Sequence, residues 1–225
     1  MNTFTLFISF FFCVNLNAQN GKLFLSIWNK NGNAELNVPS DEYSYLKKGK
    51  LYYFISNDNV NIYFDMKIED PEAQTRILKQ GFTIWVNMDN KLTKKMGIRF
   101  TTGSQNSEGR NKPNIPDNNL ITDVSPVGLL SLASTIELIG FKSEEARRFP
   151  ADNSDNFRVT VRYSNEGILH FRMTMPIAKL PIRNSKDGDG AMPFTFGIEY
   201  GPTIAQPSFP PVLLWIKNIK LATDK

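Results

Sequence analysis

The stretch "LYYFISNDNVNIYFDMKIED", residues 51 to 70, decides the fold class. From Val60 to Glu69 apolar and polar residues alternate. Val60, Ile62, Phe64, Met66 and Ile68 fall on one side, and Asn61, Tyr63, Asp65, Lys67 and Glu69 on the other. Successive side chains of a strand point to opposite faces, so this period of two reads as a half-buried strand. Upstream, "LYYFI" sets Leu51, Tyr53 and Ile55 on a single face. A turn at Ser56-Asn57-Asp58-Asn59 pairs Ile55 with Val60 and Tyr53 with Ile62, which makes the apolar faces agree and predicts a hairpin. In this reading Asp65, Lys67 and Glu69 form a solvated edge.

Asp70-Pro71-Glu72 is a helix start, with Asp as cap, Pro at the first helical position and Glu in the first turn. The helix runs through "EAQTRILK" and stops near Gly81. "GFTIWVNMD" then alternates Phe82, Ile84, Val86 and Met88 against Thr83, Trp85, Asn87 and Asp89, and a polar turn leads into "MGIRF" as a second hairpin. "IELIGF", "GAMPFTFGIEYG" and "VLLWIKNIKLA" read as further strands. Thr101 to about Asn119 is a long loop of Gly, Ser, Asn and Pro, of the kind that is functional or mobile. Ser125-Pro126 caps a short helix through "VGLLSLAS". Lys142 to Asn156 is a charged loop, and Pro202 to Pro211 a Pro-rich one. Many strands, few helices and Gly/Pro-rich turns predict an all-β protein. The expected fold is an antiparallel β-sandwich of immunoglobulin or jelly-roll type with one or two short helices, and a barrel is the alternative.

A third hairpin lies in "NFRVTVRYSNEGILHFRMTM", residues 156 to 175. A three-residue loop at Asn165-Glu166-Gly167 pairs Tyr163 with Leu169, Val161 with Phe171 and Val159 with Met173, and Gly167 suits the left-handed position of such a loop. The other face then carries Arg158, Thr160 and Arg162 beside His170, Arg172 and Thr174. Neighbouring cations disfavour a protonated His170 and leave it a neutral hydrogen-bonding group. Guanidinium forks with threonine hydroxyls suit the carboxylate or sulfate groups of an acidic glycan, which makes Arg158, Arg162, His170 and Arg172 the candidate ligand-binding residues. The competing reading is a solvated face whose charges discourage edge association.

"FISNDNVNIYFDMKIED", "GFTIWVNMD", "MTMPIAKL" and "FGIEYG" together resemble the strand signatures of DOMON-like domains and of carbohydrate-binding module family 9. The resemblance covers most of residues 50 to 221 and rests mainly on apolar patterning. It implies a secreted sandwich that binds sugar or haem. Sugar-binding modules of this kind use exposed aromatics, and Trp28, Trp85 and Trp215 all fall in strands. Trp85 lies on the more polar side of its strand and is the stacking candidate, unless that strand is buried on both sides. Haem needs axial His or Met. His170 precedes Met173 and Met175, yet on a strand even and odd positions face opposite ways, so His170 shares no iron with either.

The 225-residue chain can bury a sizeable core. It opens on "MNTFTLFISFFFCVNLNAQN", whose apolar run from Phe4 to Val14 followed by Asn17-Ala18 has the layout of a secretory signal peptide over residues 1 to 18. Residues 19 to 225 are then expected to form a single sandwich domain, secreted or periplasmic, with no transmembrane segment. Cys13 is the sole cysteine and falls in the expected leader, so the mature chain has no thiol chemistry. The net charge of +4 is scattered without a basic run, which argues against nucleic acid as a partner.

No G-x-S-x-G, H-E-x-x-H or P-loop is present, and the lone histidine has no nucleophile motif beside it. No catalytic residue is assigned. A glycoside hydrolase would need two carboxylates across a cleft, and no strand alternates Glu and Asp on one face. No cofactor is expected, with Ca²⁺ at Asp187 and Asp189 the one metal candidate, although Asp and Gly there are also ordinary turn residues. These readings point to an exported, non-catalytic sandwich that binds a carbohydrate or an envelope protein. A structural or interaction subunit without small ligand is the rival.

Overall fold

The computed structural model describes residues 24–29, 40–88, 91–101, 135–141, 148–151, 157–181, 193–201 and 211–223. The expected leader with Cys13, the loop from 102 to 119, the helix after Ser125-Pro126, the Pro-rich loop and the candidate metal ligands Asp187 and Asp189 lie outside these residues.

Thirteen strands are described: β1 (Phe24–Leu25), β2 (Ile27–Trp28), β3 (Ser44–Leu46), β4 (Leu51–Asn57), β5 (Asn61–Ile68), β6 (Phe82–Asn87), β7 (Gly97–Thr101), β8 (Thr135–Ile139), β9 (Arg148–Pro150), β10 (Arg158–Tyr163), β11 (Leu169–Pro176), β12 (Phe194–Tyr200) and β13 (Val212–Lys220). One sheet has the order β1-β13-β12-β6-β7-β8-β9 and the other β10-β11-β5-β4-β2, with β3 also paired to β4. The fold is an all-β sandwich. Its inner faces meet through rings: Phe82 of β6 packs edge-on against Phe171 of β11 at 4.2 Å, and Phe64 of β5 against Phe196 of β12 at 5.4 Å. Such pairs add about 0.5–1.5 kcal/mol each beyond the area they bury.

The sandwich is not wholly antiparallel. β1 pairs β13 in parallel, and β2 pairs β4 in parallel. The chain changes sheets at Ser26, between Leu25 opposite Lys220 and Ile27 opposite Ser56. A buried polar knot holds the crossing. The Ser26 hydroxyl donates to Asn57 Oδ1, which also accepts from the Ala222 N–H at 2.9 Å, while Asn57 Nδ2 donates to the Ala222 carbonyl at 3.0 Å. Strands of two or three residues leave no periodic trace, which is why β1 and β3 are invisible to patterning, whereas Trp28 does fall in a strand, β2, as expected. For the same reason β9 sits within the stretch from Lys142 to Asn156 that reads as loop.

The first hairpin forms with the expected faces but a different register. Ile55 pairs with Phe64 and Tyr53 with Met66, not with Val60 and Ile62. β4 continues to Asn57, and the turn moves to Asp58–Asn61 because the Asp58 carboxylate accepts from the Val60 and Asn61 N–H groups at 2.7 Å each. Tyr63 Oη donates to the same carboxylate at 2.6 Å. The slip is even, so the core side is unchanged, and Val60 is left exposed on the turn. α1 (Pro71–Gln80) starts where expected, with Asp70 accepting from the Ala73 N–H and Gly81 ending it at φ 69. The third hairpin has the expected pairing, Val159 with Met173, Val161 with Phe171 and Tyr163 with Leu169, and Gly167 has φ 79.

Candidate functional site

The structure divides the sequence-predicted site. Arg158, Arg162, His170 and Arg172 lie on the outer face of the six-stranded sheet, on β10 and β11, whereas Trp85 is on β6 in the other sheet. The core separates them, so no one ligand bridges Trp85 and the arginines.

Trp85 is no open stacking surface, being 6% exposed. Its indole N–H donates to Glu199 Oε2 at 2.6 Å, and Lys94 Nζ binds the other oxygen of that carboxylate at 2.6 Å. The ring lies over Gly97, where an added Cβ would stand 2.6 Å from Cε3. Trp215, half-buried on β13, lies likewise over Gly197. Both glycines are therefore required by close approach of an indole to the neighbouring strand.

On the six-stranded sheet, the expected solvated edge at Asp65 is also overturned. β5 is an interior strand between β11 and β4, and Asp65 is 5% exposed. Arg172 Nε donates to Asp65 Oδ1 at 2.6 Å, so this guanidinium is committed within the fold. Burial pushes the Asp65 carboxyl above the usual carboxylate range, with Arg172 and Lys67 acting against that. Tyr43 lies close enough for the charges of Asp65 and Arg172 to act on its phenol. Its ring meets Phe54 at 5.6 Å and carries the Lys67 ammonium at 4.0 Å, and burial, reinforced by the charge of Asp65, drives its phenol up.

His170 is half-buried and faces outward, while Met173 and Met175 are both wholly buried in the core. Its imidazole is held below its ordinary range first by burial and then by the charge of Lys67, its cross-strand neighbour on β5, with Glu166 opposing. The expected lowering of His170 therefore comes first from burial, which patterning did not supply, and then from Lys67 on β5.

Pairing across five strands sets Arg162, His170, Lys67, Tyr52 and Tyr45 in one row. The row ends in a cleft of about 380 Å³ lined by Tyr45, Lys50, Tyr52, Glu69 and Asp70. The Tyr45 and Tyr52 rings stand 4.7 Å apart at 41°, and Tyr45 is 51% exposed. Lys50 Nζ bonds Asp70 Oδ2 at 3.0 Å, and Glu69 is exposed. Patterning missed this cleft. The period-two spacing of Tyr43 and Tyr45 in "YSYLKKGKLYY" was the available signal, but β3 has only three residues and its partner must be known.

Among the described residues no group of three or more His, Cys, Asp or Glu is gathered to hold a metal, and no helix is long and apolar enough to cross a membrane. No family model and no curated protein matches the sequence. Among solved structures, the chain is similar to a carbohydrate-binding module family 9 from Caldicellulosiruptor kristjanssonii in complex with glucose, at 11% identity and a TM-score of 0.41, over 91% of this chain and 97% of that one.

Proposed function

We propose that this protein is an exported, non-catalytic carbohydrate-binding sandwich that takes its ligand in the cleft lined by the contacting tyrosines Tyr45 and Tyr52 with Lys50, Glu69 and Asp70. The observation that carries the reading is the tyrosine pair, Tyr45 51% exposed and Tyr52 partly buried, with rings 4.7 Å apart, beside Glu69 and the Lys50–Asp70 ion pair. A sugar ring has apolar C–H faces and a rim of hydroxyls. The electron-rich face of a tyrosine accepts the first, and carboxylate and ammonium groups bond the second. A small aromatic-walled cleft with a few convergent polar groups is the usual form of a small-ligand site. The apolar run from Phe4 to Val14 supports export to the periplasm or the outside.

The test is a glycan array probed with the wild-type protein and with a Tyr45→Ala/Tyr52→Ala double variant. The expected result is binding to a defined sugar class that the double variant loses. Silence of the wild type across neutral and acidic glycans, with envelope proteins co-purifying instead, overturns the reading in favour of an interaction subunit.

A further inference from the structure

Resting on the cleft reading above, we propose that the preferred ligand is an amino sugar, a sugar ring bearing a free ammonium, and that Glu69 is the residue that selects it. The residues lining the cleft carry two carboxylates, Glu69 and Asp70, against one ammonium, Lys50. That ammonium is already engaged within the fold. Lys50 Nζ lies 3.0 Å from Asp70 Oδ2 and 3.8 Å from Glu72 Oε2. Asp70 is fixed in turn as the cap of α1, accepting from the Ala73 N–H at 2.9 Å. This bond and then Lys50 hold the Asp70 carboxyl below the usual carboxylate range, so it stays ionised.

Glu69 stands apart from this arrangement. It is exposed just past the end of β5 and makes no hydrogen bond or ion pair to another described residue. By strand parity it follows Asp65 and Lys67 on the outward face, where Tyr52 lies opposite Lys67. The cleft therefore holds one carboxylate in excess of its ammonium, next to the Tyr45 and Tyr52 rings. A charge-assisted hydrogen bond is roughly twice as strong as a neutral one. An ammonium on the sugar gains that difference at Glu69, a hydroxyl does not, and a uronate is repelled. The rings favour the same ligand, because a tyrosine face attracts a cation within about 6 Å of its centroid. This sheet already makes that contact once, with the Lys67 ammonium 4.0 Å over the Tyr43 ring. Lys67 is thereby seated on Tyr43 and is not among the residues lining the cleft.

The experiment titrates three proteins with chitosan, chitin and cello-oligosaccharides of one length, which share ring and linkage and differ in a single substituent: ammonium, acetamide or hydroxyl. The proteins are wild type, Glu69→Gln and Tyr45→Ala/Tyr52→Ala. Wild type should bind the chitosan series about tenfold more tightly than the other two. That preference should fade as ionic strength rises from about 0.01 M to about 1 M, because the Debye length shrinks from about 30 Å to about 3 Å. Glu69→Gln keeps the shape of the side chain and removes its charge, so it should erase the difference between the chitosan and cello series, while the tyrosine variant loses every series. Absence of a chitosan preference in wild type, or its survival in Glu69→Gln, overturns the amino-sugar inference and leaves the cleft reading standing. No binding to any series, or binding unaffected by the tyrosine variant, overturns the cleft reading and this inference with it. Ethanolamine displacing bound chitosan as well as glucosamine does overturns both, because a bare ammonium then suffices and no sugar ring is recognised.

Discussion

Arg172 on β11 and Asp65 on β5 lie directly opposite each other, and the guanidinium Nε is 2.6 Å from the carboxylate Oδ1. The second oxygen, Oδ2, is buried without a hydrogen-bond partner. This pair converts a stripe that alternates like a solvated strand into the interior of a sheet, close enough to Tyr43 for both charges to act on its phenol. A carboxylate so enclosed depends on its hydrogen-bonded cation, Arg172, since the desolvation of an unpaired charge costs several kcal/mol.

Arg172→Ala is accordingly expected to destabilise the protein by about 3–5 kcal/mol at neutral pH in denaturant titrations. The Asp65 carboxyl is already raised by burial, so its folded form binds a proton more readily than its unfolded form. Its contribution is present below the ordinary carboxylate range and is lost as pH rises through the folded value. The cost of Arg172→Ala should therefore shrink toward acid. Asp65→Leu with Arg172→Leu should recover stability close to wild type, because neither charge is then buried.

His170 predicts the opposite trend. Burial and then the charge of Lys67 disfavour its protonated form, and Glu166 favours it. The unfolded chain then takes up the proton first, and stability should fall as pH drops from the ordinary histidine value near 6.5 to the lower folded value. Melting temperatures across this window should decline in wild type and stay flatter in His170→Gln. In Lys67→Gln the imidazole should titrate at higher pH by NMR.

Gly97 and Gly197 are each covered by an indole. An added methyl would stand 2.6 Å from Trp85 Cε3 at Gly97, and 2.5 Å from Trp215 Cζ3 at Gly197. Gly97→Ala and Gly197→Ala should each cost about 1–3 kcal/mol, with a change in near-ultraviolet circular dichroism as the ring is displaced. Gly197→Ala should be the more severe, because three atoms of the Trp215 ring lie within 3.0 Å of the new Cβ.

Asp58 organises the β4–β5 turn by accepting from two backbone N–H groups and from Tyr63. Partial burial raises its carboxyl, but these hydrogen bonds outweigh it and hold the group below the usual range, while burial and then the hydrogen bond to Asp58 push the Tyr63 phenol up to about 12. Asp58→Ala should cost about 1–3 kcal/mol in thermal or chemical denaturation, and Asp58→Asn less, since an amide oxygen can keep the two backbone acceptances.

Much of this was written locally. The alternation from Val60 to Glu69, the Asp70-Pro71 helix start, and the register of the third hairpin with Gly167 at its loop all follow from neighbours a few residues apart. The first hairpin shows the limit of such reading: the apolar faces were right, yet the Asp58 side chain moved the turn and hence the register by an even step.

Parity along a strand says which residues share a face, and the sequence by itself determined that. It put Arg158, Arg162, His170 and Arg172 together and set Met173 and Met175 against them. Which sheet a strand joins, and who sits beside it, was decided only by the tertiary structure. Trp85 went to the opposite sheet from the arginines, and Asp65 gained Arg172 as its partner. Tyr45 reached Tyr52 only because a three-residue strand pairs with β4. The physical reason is that side-chain alternation is a local consequence of backbone geometry, whereas strand order is set by long-range hydrogen bonding and core packing that no local period encodes.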